Sequence, residues 1–356
     1  MLGEMPSMKR ILFVADASII HTAKYVDYFV RGNKYEVMLA TYSQDNVTEC
    51  DKICWLSERK ISKAGMNFHY ILGIYKLVKI IREFKPDYIN AHFSYSMGFI
   101  AMVALFFSGI NSKVSVVCHG SDILAFPAKI CKYINYYVLN RADRIIAVSP
   151  QVARQLDAWH ISKTKIFVGQ YGVDIKELLP VERDVDILSI RDYVPNSRID
   201  DMLLAISDVE NIASKKIVFV LPYCTDKRMD ELKIAYPYIN FYPELEHSKI
   251  IELMNRSRIY ISATKSDGAA LSLLEAMAYG AYPIVSNIEA NQPWIGSNKN
   301  GRLFDDMNSF KQVVAEMLKK DDDEFAECRK INHMKVKENC SYNLQMEKIE
   351  RFLIHG

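Results

Sequence analysis

The chain has 356 residues, half of them hydrophobic and a quarter charged. That is the profile of a soluble globular protein with enough apolar residues for two packed domains. Seven cysteines without a C-x-x-C pair indicate neither a zinc site nor a disulfide framework, and fit a reducing cytosol.

The net charge of +2 conceals an asymmetry. Residues 1–180 hold 22 Lys/Arg against 15 Asp/Glu, which leaves 23 against 28 for the remainder. A basic half joined to an acidic half suggests that the first half meets something anionic, such as membrane headgroups or a phosphate-bearing acceptor. No basic-aromatic motif of the nucleic-acid-binding kinds is present, so no nucleic-acid partner is expected.

At the N-terminus Lys9 and Arg10 precede the apolar run Ile11–Ala15, which Asp16 interrupts. A first β-strand explains this run better than a secretion signal. Further strands are expected at Tyr35–Thr41, Asp87–His92, Lys113–His119 and Asp143–Ser149. Between them lie stretches with helical spacing, such as Ile71 to Phe84 with Tyr75, Val78, Ile81 and Phe84. The apolar stretch around Gly98 to Gly109 is too short to span a bilayer, so no transmembrane helix is expected.

The pattern then restarts. Strands are expected at Val185–Ile190, Lys216–Pro222, Ile239–Pro243, Arg258–Thr264 and Tyr282–Asn287, after a linker at Pro180 and Val181 to Asp184. Apolar strands alternating with helices indicate parallel sheets covered on both faces. The expected domains are residues 1–180 for the acceptor and 181–340 for the nucleotide sugar. A helix at 341–356 would pack back on the first domain.

Open parallel sheets bind ligands beyond the carboxyl ends of their strands. Three such places carry suggestive residues. After the fourth expected strand stands His119-Gly120-Ser121-Asp122, where an imidazole can reach a sugar hydroxyl or a phosphate oxygen. A structural histidine is the plainer alternative. After strand Arg258–Thr264 comes Lys265 to Ala278, with a helix starting near Ala270. The small residues Gly268, Ala269 and Ala270 let a ligand approach the backbone, and the helix start offers N–H groups for a pyrophosphate. Asp267 and Glu275 then grip different parts of one elongated ligand. Helix capping by Asp267 and a surface role for Glu275 form the competing reading. After strand Val185–Ile190 stand Arg191 and, within one loop, Arg198, both suited to phosphate.

These residues resemble the retaining glycosyltransferases often called group 1, which have the glycosyltransferase-B fold. The E-x7-E motif ending in L-L-E-A-M-A corresponds to Asp267 to Ala278, and G-x-P-V-I to the stretch from Gly280 to Val285. The N-G turn is Asn300-Gly301, H-G-x-D is His119 to Asp122, A-D-x-I-I-x-V-S is Ala142 to Ser149, and N-G-V-D is Tyr171 to Asp174. The resemblance implies two Rossmann-like α/β domains with parallel sheets facing across a cleft. It implies that Arg191 contacts the donor diphosphate and that Glu275 holds the ribose hydroxyls. Asp267 would stand near the transferred sugar, the amides from Gly268 to Leu271 would line sugar and phosphates, and His119 would stand close to the reacting sugar.

The sequence departs from the family pattern at several points. Aspartate replaces the first motif glutamate, and Ala269-Ala270 replaces Phe-Gly. Ser197-Arg198 occupies the place of the phosphate lysine, and Tyr171 that of an asparagine. Asp16-Ala17-Ser18, followed by His21, replaces a glycine-rich turn. A subset of the family carries D-G and a later N-x-x-W-I segment, and Asn291 to Ile295 is similar.

The expected activity is sugar transfer, with retention, from a UDP- or GDP-linked donor to a glycan or lipid-linked acceptor. It would serve cell-surface polysaccharide or lipopolysaccharide synthesis, without cofactor or metal. His119 and Asp267 are the catalytic candidates, and Ser18, His21, His92 and Asp122 the acceptor-side candidates. The expected location is cytoplasmic, with peripheral contact to the inner face of an anionic membrane through Lys76, Lys79, Arg82 and Lys85 or through Tyr133 to Arg144. The alternatives are a non-catalytic sugar-binding partner of another transferase and a sugar-nucleotide epimerase.

Overall fold

The computed structural model describes residues 8–57, 68–125, 128–176 and 181–355; Pro180 of the expected linker lies outside them. The chain forms two compact units, Met1–Tyr171 with Gln345–Gly356, and Gly172–Leu344.

The first unit is a parallel sheet of seven strands: β1 (Lys9–Val14), β2 (Tyr35–Thr41), β3 (Ile53–Trp55), β4 (Tyr88–His92), β5 (Lys113–Cys118), β6 (Arg144–Ala147) and β7 (Ile166–Val168). Their order is β3-β2-β1-β4-β5-β6-β7. The chain moves outward in one direction from β1 and in the other from β4, so the topological switch lies between these neighbours. Nearly every residue of β1, β4 and β5 is buried, because helices cover both faces. Helices Phe68–Phe84, Phe99–Ser108 and Lys129–Arg141 pack in sequence, each beside the next. Gly109, at φ 70°, ends the middle one in the left-handed conformation that a side chain would strain.

The second unit is a parallel sheet of six strands: β8 (Val185–Ile190), β9 (Ile217–Val220), β10 (Ile239–Tyr242), β11 (Ser257–Ser262), β12 (Tyr282–Ser286) and β13 (Arg302–Phe304). Their order is β10-β9-β8-β11-β12-β13, which places the switch between β8 and β11. Alternation along the strands sorts the core into two clusters. Ile187, Ile217, Phe219, Ile259 and Ile261 join one, and Leu188, Ile190, Val218, Val220 and Tyr260 the other. Full burial of one such aliphatic side chain contributes about 1.5–3 kcal/mol.

Both sheets are Rossmann-like, as the sequence pattern indicates. The strands that it misses, β3, β7 and β13, are three-residue edge strands. No helix among the described residues is long and apolar enough to cross a membrane.

Candidate active site

The two strands that flank the switch of the second unit deliver its charged residues. Arg191 follows β8, and the loop Ala263–Ala270 follows β11. Arg191 donates from Nε to Ser262 Oγ at 2.9 Å and from a terminal nitrogen to Asp267 Oδ2 at 2.8 Å. Both side chains are largely buried, at 15% and 17% exposure. Burial opposes the charge on Asp267. The Arg191 guanidinium and the Ala269 N–H outweigh it and hold the carboxyl below the usual range. Burial likewise opposes the charge on Arg191, yet Tyr260 and Asp267 keep its pKa above the ordinary value. The pair is therefore charged, desolvated and fixed in place.

Asp267 Oδ1 accepts the Ala269 N–H at 3.1 Å, which folds the loop back on itself. Ala270 then adopts φ 46°, a left-handed position that few side chains tolerate, and helix Leu271–Ala278 begins. Ala270 has no side-chain oxygen with which to cap this helix. Among the described residues nothing accepts from the N–H groups of Leu271, Ser272 or Leu273. The helix tip is thus an open set of donors beside a guanidinium, with Gly268 and Ala269 half-buried at its edge.

Glu275 sits one turn further along, 22% exposed, with Oε1 3.0 Å from His247 Nε2. His247 was not singled out in the sequence. It opens the helix His247–Arg256 that follows β10, so the strand-end rule reaches it, but no motif surrounds it. Next to it lies a cavity of about 670 Å³ within this unit, lined by Asp174, Lys176, His247, Tyr279, His333 and Lys337 among others. Arg198 is not joined to Arg191 or Asp267. It takes φ 54° before helix Ile199–Ser207, and its Nε donates to Asp201 at 2.8 Å.

The first unit gathers a different set. His92, the last residue of β4, points its Nδ1 to His119 Nε2 at 3.0 Å. His119 stacks on Phe93, with centroids 4.4 Å apart, and faces His21 at 6.1 Å. His21 Nδ1 lies 2.7 Å from the Tyr171 hydroxyl. Burial, and then the proximity of His21, lowers the His92 pKa to about 3. Burial and the neighbouring histidines push His119 well below its ordinary value. These imidazoles are neutral at pH 7, and so suited to hydroxyl groups rather than to anions.

Two acceptor-side candidates need correction. His92 and Asp122 are fully buried, so neither side chain faces a ligand. Asp122 accepts N–H bonds from Ser94 at 2.8 Å, His119 at 2.9 Å and Gly120 at 3.1 Å. It shapes the loop that carries His119, and Gly120 supplies the φ of 97° that the turn needs. Burial raises the Asp122 carboxyl to about 6, against the lowering effect of those bonds. Ser18 Oγ donates to Asp16 Oδ1 at 2.7 Å in the turn after β1. His119 and His21 remain half-buried.

A family model for glycosyltransferase family 4 matches residues 20–177, and one for glycosyl transferases group 1 matches residues 173–333. Among solved structures, a glycosyltransferase from Rickettsia africae is 18% identical with a TM-score of 0.78, over 98% of this chain and 100% of that one. The lipopolysaccharide outer core galactosyltransferase WaaB is 16% identical with a TM-score of 0.72, over 97% and 99%. Anabaena HepE in complex with UDP and glucose is 12% identical with a TM-score of 0.78, over 98% and 100%. At such identities the likeness concerns the fold. No curated protein matches the chain. The two family models together span residues 20–333, and the chain belongs to the group 1 glycosyltransferases, with the glycosyltransferase-B fold.

Proposed function

We propose that the protein transfers a sugar from a nucleotide diphosphate donor to a glycan or lipid-linked acceptor, with retention at the anomeric carbon. The observation that carries this reading is the open tip of helix Leu271–Ala278 beside the desolvated Arg191–Asp267 pair. The donor diphosphate seats on the amides of Leu271 to Leu273, with Arg191 against it and Arg198 at its outer edge. As the bond from the anomeric carbon to the diphosphate oxygen breaks, negative charge grows on that oxygen. Preorganised donors stabilise it there without solvent reorganisation. The acceptor oxygen bonds to the same face of the carbon, and its proton passes to the leaving phosphate oxygen. No metal is assigned to this step, because Arg191 and the amides meet the charge.

Glu275, oriented by His247, accepts from the ribose hydroxyls. Asp267 holds Arg191 and the loop, so its part near the sugar is to fix these donors. His119, as a neutral imidazole, is assigned to a hydroxyl of the reacting sugar, and His21 to the acceptor side. The UDP-bound HepE structure and the lipopolysaccharide outer core in the name of WaaB favour a UDP donor and a cell-surface glycan product. The basic first half favours an acceptor with phosphate, met at the inner face of a membrane.

A thermal-shift screen against UDP- and GDP-sugars tests the donor. The expected result is stabilisation by a UDP-sugar that Glu275→Ala reduces. Stabilisation by no sugar nucleotide would contradict the reading.

A further inference from the structure

We propose that the outward face of helix Lys129–Arg141 docks on an anionic lipid surface. This deepens the reading of a membrane-borne acceptor and rests on it for the choice of partner. The helix buries Cys131, Asn135, Val138 and Leu139 against its own unit. Its other face exposes Ile130, Tyr133, Tyr136 and Tyr137 at 61%, 72%, 52% and 37%. These positions recur at helical spacing, so they form one stripe. Four apolar or aromatic side chains in one outward stripe are more than a solvated helix ordinarily carries.

The charges on this helix have a single sign. Lys129, Lys132 and Arg141 are exposed, and KICKYINYYVLNR contains no acidic residue. Arg141 lies over the Tyr137 ring, 4.0 Å from its centroid. Tyrosine places an apolar ring and a polar tip at a headgroup boundary, while lysine and arginine extend alongside it to reach phosphate. The neighbouring helix Phe99–Ser108 meets this one through Phe99 and Tyr137, 6.3 Å between centroids. It carries no charge at all, and exposes Phe106 and Phe107 near its far end.

With its lysines, the composition of helix Lys129–Arg141 favours a lipid surface over a protein partner, whose interface cores are enriched in tyrosine and arginine but depleted in lysine. It also decides between the two basic segments of this unit. In helix Phe68–Phe84, Arg82 donates to the Ser108 and Phe107 carbonyls at 3.1 and 2.8 Å. Lys79 there stands 3.8 Å from Glu83. Those cations already have partners, whereas the tyrosine stripe combines unopposed charge with apolar reach.

The test is co-sedimentation of the full chain with phosphatidylcholine vesicles, with and without phosphatidylglycerol, in the absence of sugar nucleotide. Binding is expected only to the anionic vesicles, and is expected to weaken with salt. Tyr133→Ser with Tyr136→Ser should reduce it by about tenfold or more, and Lys129→Glu with Lys132→Glu should do the same. Unchanged circular dichroism and sugar-nucleotide affinity would show that the variants fold. Equal binding to neutral vesicles, full binding by either double variant, or no binding by the wild type would each overturn the proposal. So would self-association, seen by sedimentation velocity, that the tyrosine substitutions abolish while vesicle binding persists. Since no donor is present, failure here leaves the transferase reading standing, and failure of that reading leaves vesicle binding measurable.

Discussion

The switch points of the two sheets share one topology and carry opposite chemistry. In the second unit the residues after β8 and β11 are charged, and they stand beside unpaired N–H groups. In the first unit the end of β4, at the switch, and the end of its neighbour β5 carry His92 and His119, held neutral by burial and by one another. A desolvated guanidinium beside a helix tip attracts a diphosphate. Neutral imidazoles can orient a hydroxyl without attracting an anion. The same strand-end geometry thus suits two kinds of group: burial opposes charge in both units, and only in the Arg191–Asp267 pair does a counter-ion outweigh it.

The largest effect is expected for Arg191→Ala. It leaves the Asp267 carboxylate buried without its counter-ion, a change that costs about 3–5 kcal/mol. Chemical denaturation should show that loss, and calorimetry should show no sugar-nucleotide binding. Near-normal affinity would detach the diphosphate from the second unit. Next, His119→Ala should lower kcat by about 100-fold while the affinity for the free nucleotide diphosphate stays unchanged. Equal losses in both would erase the distinction between the units.

Glu275→Ala should weaken donor affinity by about 1.5–3 kcal/mol, the range for hydrogen bonds to a charged group. His247→Gln should keep part of it. If His247→Gln matches Glu275→Ala in full, the histidine binds the donor itself.

The pH dependence of stability sharpens the contrast further. His92 has a folded pKa of about 3 against 6.5 unfolded. The unfolded chain takes up its proton first, so His92 costs stability as pH falls from about 6.5 towards 3. Between pH 7 and pH 5 this amounts to about 2 kcal/mol, and His119 acts in the same direction. Asp122 acts oppositely. Its folded pKa of about 6 exceeds the unfolded 3.8, so its contribution is present below 3.8 and is lost as pH rises through 6. His92→Gln should therefore make unfolding by urea less sensitive to acid than in the wild type. An unaltered slope would mean that His92 is not the desolvated group. The smallest effect is expected for Arg198→Ala, whose pair with Asp201 is surface-exposed on the acid side. Stability should change by less than about 1 kcal/mol, with donor affinity lowered a few-fold.

Much of this was legible in the sequence because apolar strands buried on both faces read as unbroken runs. β2 and β8 have the bounds expected for them. The edge strands β3 and β7 were not legible, since each has only three residues and one or more of them exposed. Arg191, Asp267 and Glu275 are candidates because they lie just beyond strand ends, and the structure joins Arg191 to Asp267 there. The direction of a strand-end side chain is set by neighbours from distant parts of the chain. That is why His92 and Asp122 read as ligand-facing, whereas Phe13, Tyr25 and Ser94 enclose them. His247 was missed because its partner, Glu275, lies 28 residues away.

The central claim is that a diphosphate sits on the first amides of helix Leu271–Ala278. Titrating the isotope-labelled protein with a UDP-sugar, and following backbone amide resonances by NMR, tests it most directly. The account predicts large downfield shifts at Leu271, Ser272 and Leu273 that disappear in Arg191→Ala. Saturable binding that leaves these three resonances in place would contradict it.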